Sequence, residues 1–342
     1  MRAGAGGGSA VPAGGRRIGP RGLDMKPKRA IIAALGLFGL VLLTVYAGGR
    51  AVRTPAEGPP SAWDGLMMGM NAFTDVPYLP TPHEIAEEMI RLAGVTADDV
   101  VYDLGCGDGR LVIAAAARRG ARGVGVDIDP DLVAESREKA RLAGVEDRVR
   151  FVRQNFFETD VREATVVLIY LLPEINLRLR PKLIGEMKPG SRLVSHAFDM
   201  GEWQPDGFSK IGLQSVYLWV IPANVTGRWT WTLPGEPGEP HVMQLSQEFQ
   251  RIRGELFHRG VKTEIDGAQL AGDRIAFAVE QPVDGVLVPR RYAGVVEGDR
   301  ITGTVVSGGG VREQSRRWLA VRDAATARPI DVGPRGQELP WY

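Results

Sequence analysis

The stretch that decides the fold reads Val100-Val101-Tyr102-Asp103-Leu104-Gly105-Cys106-Gly107-Asp108-Gly109. Five mostly apolar residues, typical of a buried strand, run directly into a loop with glycine at every second position. Glycine suits such a loop because the backbone must turn sharply and can then come close to a ligand. A helix is predicted to follow over residues 111–119. The stretch therefore predicts the strand–loop–helix start of an α/β domain.

The segments on both sides of this loop alternate between predicted strands and helices. The further strands are predicted over residues 123–127, 149–152, 165–170 and 192–195, and the helices between them over 132–143 and 177–187. Upstream, Thr81-Pro82-His83-Glu84 predicts a capping box at the start of another helix. The last two strands, near 210–213 and 215–221, are too close for a helical crossover and predict an antiparallel hairpin. The pattern predicts a doubly wound, mostly parallel seven-stranded sheet over residues 73–222.

The charges around the glycine loop indicate the kind of ligand. The spacing is GxGxG, which differs from the GxGxxG fingerprint of dinucleotide sites. Asp103 and Asp108 bracket the loop, where they would repel a pyrophosphate and attract a positively charged ligand. S-adenosylmethionine (SAM) carries an ammonium and a sulfonium and no phosphate. Asp127, 22 residues after Gly105 at the end of the second strand, is placed to accept hydrogen bonds from both ribose hydroxyls.

Two motifs, VYDLGCGDG and VGVDIDP, resemble the first two motifs of the class I SAM-dependent methyltransferases. Residues 75–82 and the segment Tyr170-Leu171-Leu172-Pro173-Glu174 resemble those of a narrower group. That group contains membrane-associated bacterial methyltransferases of unassigned substrate, archaeal protein-lysine methyltransferases and the mitochondrial lysine methyltransferase of the ATP-synthase c-subunit. The resemblance covers roughly residues 73–222 and implies a Rossmann-like methyltransferase fold with SAM as cofactor.

The resemblance also implies a role for individual residues. Those that would hold SAM, from its methionine end to its adenine, are Asp103, Gly105, Gly107, Asp127, Ile128, Asn155 and Phe156, with Tyr78 and Thr81 closing over it from the N-terminal side. Many members of the family have Asp where this chain has Asn155. Tyr78 could instead be a hydrophobic staple on the predicted helix cap.

The methyl-transfer site would be bordered by Tyr170, Pro173 and Glu174, again by resemblance. Methyl transfer from SAM requires an aligned nucleophile, exclusion of water and release of a proton, and it needs no metal. A lysine acceptor must be neutral to attack, and a slot near Tyr170 would lower its pKa by desolvation. Glu174 is a candidate proton acceptor. Two alternatives stay open here. Tyr170 could simply end a strand, and His196 could be either a catalytic or a structural histidine.

A protein lysine is the expected methyl acceptor, and a membrane protein is a candidate partner. Two alternatives stay open: methylation of a small molecule or lipid, and a SAM-binding scaffold or sensor without turnover. The four histidines and one cysteine show no paired ligand spacing, so no metal site is expected.

The composition excludes several other classes. Of the 342 residues, 44% are hydrophobic, which excludes disorder throughout. A net charge of +1 argues against a nucleic-acid partner bound by bulk charge. The single cysteine, Cys106, excludes an internal disulfide framework and is expected to be a small packing residue of the loop.

The N-terminus carries a candidate membrane segment. Residues 1–29 hold seven basic side chains and one acid and are predicted to be disordered. Residues 30–47 carry no charge and as a helix would rise about 27 Å, which predicts a transmembrane helix, followed by a tether over 48–72. A cleaved signal peptide and a buried core helix are the alternatives. The positive-inside rule places the rest of the chain outside, whereas SAM is made in the cytoplasm, so the side of the catalytic domain stays open.

The sequence texture changes after Pro222. Residues 223–323 alternate apolar and polar side chains between glycine turns, which predicts an antiparallel β meander or small barrel. No residue in this module indicates chemistry. Substrate recruitment, dimer contact and apolar-ligand binding all stay open as its role. Residues 324–342 are rich in proline and glycine and are expected to form a loose tail.

Overall fold

The computed structural model describes residues 78–236, 238–283, 286–308 and 313–333. The N-terminal segment predicted to be disordered (1–29), the predicted transmembrane helix (30–47) and the predicted tether (48–72) lie outside the described residues. Within the described ranges, none of the helices combines the length and apolar character needed to cross a membrane. The described residues all belong to one compact unit, Met67–Tyr342.

The first sheet has seven strands and four helices connected as the sequence alternation predicts. The strands are β1 Val100–Leu104, β2 Arg122–Asp127, β3 Val149–Arg153, β4 Val166–Ile169, β5 Arg192–His196, β6 Gly207–Ile211 and β7 Gln214–Val220. The helices are α1 His83–Leu92, α2 Arg110–Arg119, α3 Pro130–Leu142 and α4 Pro173–Glu186. The strand order is β3-β2-β1-β4-β5-β7-β6. Strand β7 runs antiparallel to both of its neighbours, β5 and β6, so the predicted edge hairpin is confirmed.

The two faces of this sheet are covered by different helices. Val101 and Leu168 pack with residues of α1 and α2 on one face. Tyr102 and Ile169, each one residue further along its strand, pack with residues of α4 on the other. Burial on both faces explains why these strands read as continuous apolar runs. Strands β1, β2, β4 and β5 run parallel, so their carboxyl ends lie on the same side of the sheet, where a ligand site is expected in this architecture.

Two helix starts differ from the sequence predictions. The predicted capping box is wrong, because Pro82 is the N-cap of α1 and no side chain bonds to the first turn. The Thr81 hydroxyl lies instead 3.4 Å from Nδ1 of His196, at the end of β5. Helix α4 begins at Pro173, one turn before the predicted residue 177, with proline in the first turn, where it is well tolerated.

The second sheet is antiparallel, as the alternation after Pro222 predicts. Its strands are β8 Gly227–Trp231, β9 His241–Glu248, β10 Arg251–His258, β11 Val261–Glu264, β12 Asp266–Ala271, β13 Arg274–Val283, β14 Val286–Glu297, β15 Arg300–Ser307 and β16 Gln314–Arg322. Their order is β11-β10-β9-β8-β16-β15-β14-β13-β12. The sheet curls until β10 contacts β12 and β11 contacts β13. One hydrophobic cluster, which includes Trp229, Trp231, Tyr292 and Trp318, fills its interior.

The predicted loose tail is wrong for residues 324–333. Residues Ala324–Thr326 form a 3-10 helix, and Asp331 pairs with Glu248 at the end of β9. Ile330 and Val332 pack against the hydrophobic cluster of the first sheet. The sequence could not indicate this, because these two side chains find their partners in a distant part of the chain.

A stack of aromatic and imidazole rings lies inside the second sheet. Trp231 stacks on His241 with centroids 5.2 Å apart, and His241 stacks on His258 at 3.9 Å. A guanidinium nitrogen of Arg290 lies 3.4 Å from Nε2 of His241, and Arg290 is paired with Glu236. Burial lowers the pKa of His241 to about 4, and the positive charges of His258 and Arg290 act in the same direction. His241 is therefore neutral at pH 7.

This low pKa predicts a loss of stability in mild acid. An unfolded histidine has a pKa of about 6.5, so the unfolded state takes up the proton first as the pH falls below that value. Between about pH 6.5 and pH 4 the free energy of unfolding should fall by up to about 3 kcal/mol through His241. Urea unfolding across this range measures the slope.

His241→Gln should flatten that slope, whereas Phe277→Leu in the same core should lower stability equally at every pH. An unchanged slope in His241→Gln would contradict the assignment.

Candidate active site

The glycine loop between β1 and α2 is closed by backbone hydrogen bonds to the end of β2. The amides of Gly105 and Cys106 both donate to the carbonyl of Val126, at 2.8 and 3.0 Å. The Gly107 amide donates to Oδ2 of Asp127 at 2.8 Å. Gly107 has φ +51°, and a Cβ there would collide with the ring of Tyr78. The loop therefore needs glycine both for its backbone conformation and for a close approach.

Asp127 lies at the end of β2, where the sequence places the ribose site. Its Oδ1 accepts from the amide of Asp129 at 3.0 Å, while its Oδ2 accepts from Gly107. Each carboxylate oxygen can accept a second hydrogen bond. The two backbone amides thus fix the carboxylate and leave it able to accept from two hydroxyls.

The two aspartates that bracket the loop differ in their surroundings. Asp103 is 2% exposed, and no cation among the described residues pairs with its carboxylate. Burial raises the pKa of Asp103 well above its usual range, and the negative charges of Asp127 and Asp108 raise it further. A ligand cation next to Asp103 would remove this penalty.

Asp108 is already neutralised by two cations. Arg110 and Lys139 reach its carboxylate at 2.7 and 2.6 Å. Burial alone would raise the pKa of Asp108, but the hydrogen bonds and charges of these two side chains outweigh it and hold the pKa well below its usual range. The expectation that Asp108 attracts a cationic ligand is therefore wrong, because its charge is compensated within the protein. Sequence reasoning missed both partners.

The N-terminal approach to the loop carries Tyr78 and Thr81. Arg110 donates to the carbonyl of Thr81 at 2.8 Å and so ties this segment to the loop. The ring of Tyr78 lies against Gly107, which disfavours the hydrophobic-staple interpretation. Tyr78 remains 47% exposed, so its ring has a free face at the rim of the site.

The residues assigned to adenine lie beyond the ends of β2 and β3. Ile128 directly follows Asp127 and is 39% exposed. Asn155 accepts a hydrogen bond from the amide of Phe157 and thereby caps a 3-10 helix, Phe156–Glu158. Phe156 is half-buried against the first core. Their contact with adenine stays a prediction.

Tyr170, one of the three residues assigned to the acceptor, lies next to the end of β5. Tyr170 follows β4, and its ring lies 4.0 Å from that of His196 and 6.4 Å from that of Phe198, centroid to centroid. His196 is buried, with Nε2 2.9 Å from the amide oxygen of Gln214. Burial lowers the pKa of His196, against the opposing effect of Gln214, so the imidazole is neutral at pH 7.

Pro173 and Glu174 occupy the first turn of α4. Since α4 begins just after the end of β4, both residues lie beside Tyr170 along the chain, and Glu174 is only half-buried. Tyr170, Pro173 and Glu174 thus lie where β4 leads into α4. Their catalytic roles stay predictions.

These surroundings fit a cationic adenosyl ligand. The unpaired, buried carboxylate of Asp103 suits an ammonium, and Asp127 suits a pair of ribose hydroxyls. Cys106 is buried in the loop. Burial raises the pKa of its thiol, and the negative charge of Asp103 raises it further. It therefore stays protonated and fills space, as predicted, instead of acting as a nucleophile.

Comparison with known proteins agrees with this interpretation. The family model "ANTKMT methyltransferase domain" matches residues 103–207. A protein-lysine N-methyltransferase of Saccharolobus islandicus is 43% identical over 157 residues, which span 44% of this chain and 98% of that protein. The mouse lysine N-methyltransferase of the ATP synthase c-subunit is 30% identical over 188 residues, spanning 55% of this chain and 70% of that protein.

A solved structure was also found, that of an RNA methyltransferase from Salinibacter ruber in complex with S-adenosyl-L-homocysteine. It is 48% identical and covers 47% of this chain and 100% of that chain, with a TM-score of 0.42.

The strand order and the acidic glycine loop define a Rossmann-like methyltransferase domain. The chain belongs to the class I SAM-dependent methyltransferases, in the family that includes the archaeal and mitochondrial lysine N-methyltransferases. Its cofactor is SAM.

The contrast between the two loop aspartates predicts opposite effects of the same substitution. Asp103→Asn removes an unpaired buried charge, so at pH 7 it should leave the protein at least as stable while weakening SAM binding about 10- to 100-fold. Asp108→Asn breaks two ion pairs and should lower the free energy of unfolding by about 1–3 kcal/mol. Urea unfolding without ligand and calorimetric titration with SAM measure both effects. Wild-type SAM affinity in Asp103→Asn would reject the cofactor site.

Proposed function

We propose that this chain transfers the methyl group of SAM to the side-chain amine of a lysine in a protein. The observation that carries the proposal is the buried, unpaired carboxylate of Asp103 beside the glycine loop, which suits the ammonium of SAM. The relatives named as protein-lysine N-methyltransferases support lysine as the acceptor. Another relative, from mouse, is named adenine nucleotide translocase lysine N-methyltransferase, and its name again gives a lysine of a protein as the acceptor.

SAM supplies a methyl group already activated on a sulfonium. The loop and Asp127 orient the ligand, and Tyr78 and Thr81 close over it and exclude water. The acceptor amine must arrive neutral, so the acceptor side has to lower the lysine pKa. Burial raises the pKa of Tyr170, so its phenol stays protonated and offers an uncharged ring to the developing cation.

Glu174 is the proposed acceptor of the lysine proton. His196 is less suited to this role, because one ring nitrogen faces Gln214 and the other faces Thr81. Both nitrogens thus already have partners in the protein. His196 instead packs against Tyr170 and fixes that ring at the site.

Labelled SAM tests the acceptor class. The full chain, incubated with methyl-labelled SAM and with membrane and soluble fractions of the cells that produce it, should label a protein band that survives delipidation. Acid hydrolysis of that band should release methylated lysine. Asp103→Asn, which should fold but bind SAM poorly, is the matched control and should give little label.

Label extracted into organic solvent would support the lipid or small-molecule alternative and contradict the lysine proposal. Absence of S-adenosylhomocysteine release with every fraction would support the scaffold or sensor alternative.

We further propose that residues 30–47 anchor the chain in a membrane, with 73–222 as the catalytic domain and 223–323 as a second, antiparallel β module. The support is the uncharged stretch of 18 residues after a basic segment. An anchored enzyme would act on substrates near the membrane surface, which makes a membrane protein the proposed partner.

Membrane extraction tests the anchor. The full chain should stay with membranes after an alkaline wash, and Leu37→Arg with Val41→Arg should release it, since each charge at a helix centre costs about 2.5–3.5 kcal/mol. A wild-type chain that is washed off, with a new N-terminus near residue 48 by mass spectrometry, would instead establish a cleaved signal peptide.

A further inference from the structure

The turn between β9 and β10 reaches from the second sheet into the core of the first. Phe249, at this turn, is 1% exposed and belongs to the hydrophobic cluster of the first sheet. Its ring stacks on Trp203 with centroids 5.8 Å apart and an interplanar angle of 7°. Trp203 is fully buried and follows β5 by seven residues. The family model ends at residue 207, so the turn lies outside the matched region.

The backbone of this turn is held in an uncommon conformation. Phe249 has φ +51°, which non-glycine residues rarely adopt. Its carbonyl accepts from the side chain of Gln247 at 2.7 Å, and its amide donates to the carbonyl of Asp331 at 3.1 Å. Gln250 donates to the carbonyl of Gln204 at 2.7 Å. Such a conformation persists where surrounding contacts impose it, which indicates a specific docking contact.

Helix α4 contacts both the Phe249 ring and the segment of residues 197–203 that follows β5. The Arg180 guanidinium is fully buried, lies 5.2 Å from the centroid of the Phe249 ring, and donates to the carbonyl of Met200 at 2.6 Å. Gly201 packs so closely on α4 that a Cβ there would lie 2.9 Å from Leu177. One turn earlier on α4, the side chain of Asn176 lies within hydrogen-bond distance of the carbonyls of residues 198 and 199.

The segment held in this way, residues 197–203, leads directly to the acceptor side of the site. It begins after His196 with Ala197 at φ +66°, and it carries Phe198 next to Tyr170. Contacts therefore run without a break from Phe249 through Trp203 and the 197–203 segment to the Tyr170 ring.

We infer that the second sheet sets the acceptor side of the methyl-transfer site, with Phe249 and Arg180 as positioning residues for the 197–203 segment. This rests on the proposed function only in that the site serves an acceptor. The glycine loop lies at the ends of β1 and β2 and shares none of these contacts. Loss of the Phe249 ring should therefore disturb acceptor use while leaving SAM binding intact.

Phe249→Gly is the sharpest test, because glycine accepts the positive φ and the side chain is lost without added backbone strain. Phe249→Leu is the conservative variant that keeps an apolar side chain. Phe257→Ala, a phenylalanine 40% exposed on β10 of the same sheet, is the matched control. All are made in the full chain.

Hydrogen exchange of the full chain with S-adenosylhomocysteine bound gives the first readout. In Phe249→Gly, amides of residues 197–203 should exchange at least about 10-fold faster, while residues 103–109 and the SAM dissociation constant stay within about 2-fold of wild type. Phe249→Leu should lie between, and Phe257→Ala should match wild type. Unchanged exchange at 197–203, or equal acceleration throughout both sheets, would overturn the inference.

Methyl transfer to the labelled protein gives the second readout. Phe249→Gly should lower kcat/KM for the acceptor about 10-fold or more, because small misplacements at a transfer site are costly. Wild-type kcat/KM in a variant whose 197–203 exchange is accelerated would also overturn the inference. A wild-type chain that labels no protein would reject the lysine proposal, while the exchange result would still decide the inference.

Discussion

The hydrogen bond from the Gly107 amide to the Asp127 carboxylate closes the loop on which the whole site depends. Together with the two amides bonded to Val126, it ties the end of β1 to the end of β2. The bond holds Gly107 in a conformation in which its Cα lies close to the ring of Tyr78. It also fixes the orientation of the Asp127 carboxylate. The shape of the loop is thus set by backbone hydrogen bonds, and Asp127 is held in place by the same bonds.

The charge at this loop is selective because the protein neutralises one aspartate and leaves another without a partner. Arg110 and Lys139 pair with Asp108, where they stabilise the fold and connect α2 with α3. Asp103, buried near the end of β1, is destabilising until a cation binds beside it. A local rule broken at a buried position, with no compensation inside the protein, is what a binding site is expected to show. Counting acids in the sequence could not separate these two roles.

The sequence predicted the first sheet well because its strands are buried on both faces and its loop has glycine at the positions with positive φ. It failed where a distant partner outweighs local preference. Thr81 has a capping pattern, yet its hydroxyl faces His196, 115 residues away. Asp108, in the loop, forms an ion pair with Lys139 of helix α3. Ile330 lies in a tail rich in proline and glycine, yet it packs against the hydrophobic cluster of the first sheet. No periodicity within a short window carries such information.

The two halves of the methyl-transfer site differ in where their support comes from. The glycine loop of the cofactor half is held by hydrogen bonds made within residues 78–139. The acceptor half depends on a segment that begins with a residue at positive φ and is held between α4 and a turn of the second sheet. A strained segment keeps its shape only while both of its supports are present. The second sheet can therefore influence the acceptor half while the glycine loop stays unchanged. The second sheet needs no catalytic residue of its own to act in this way.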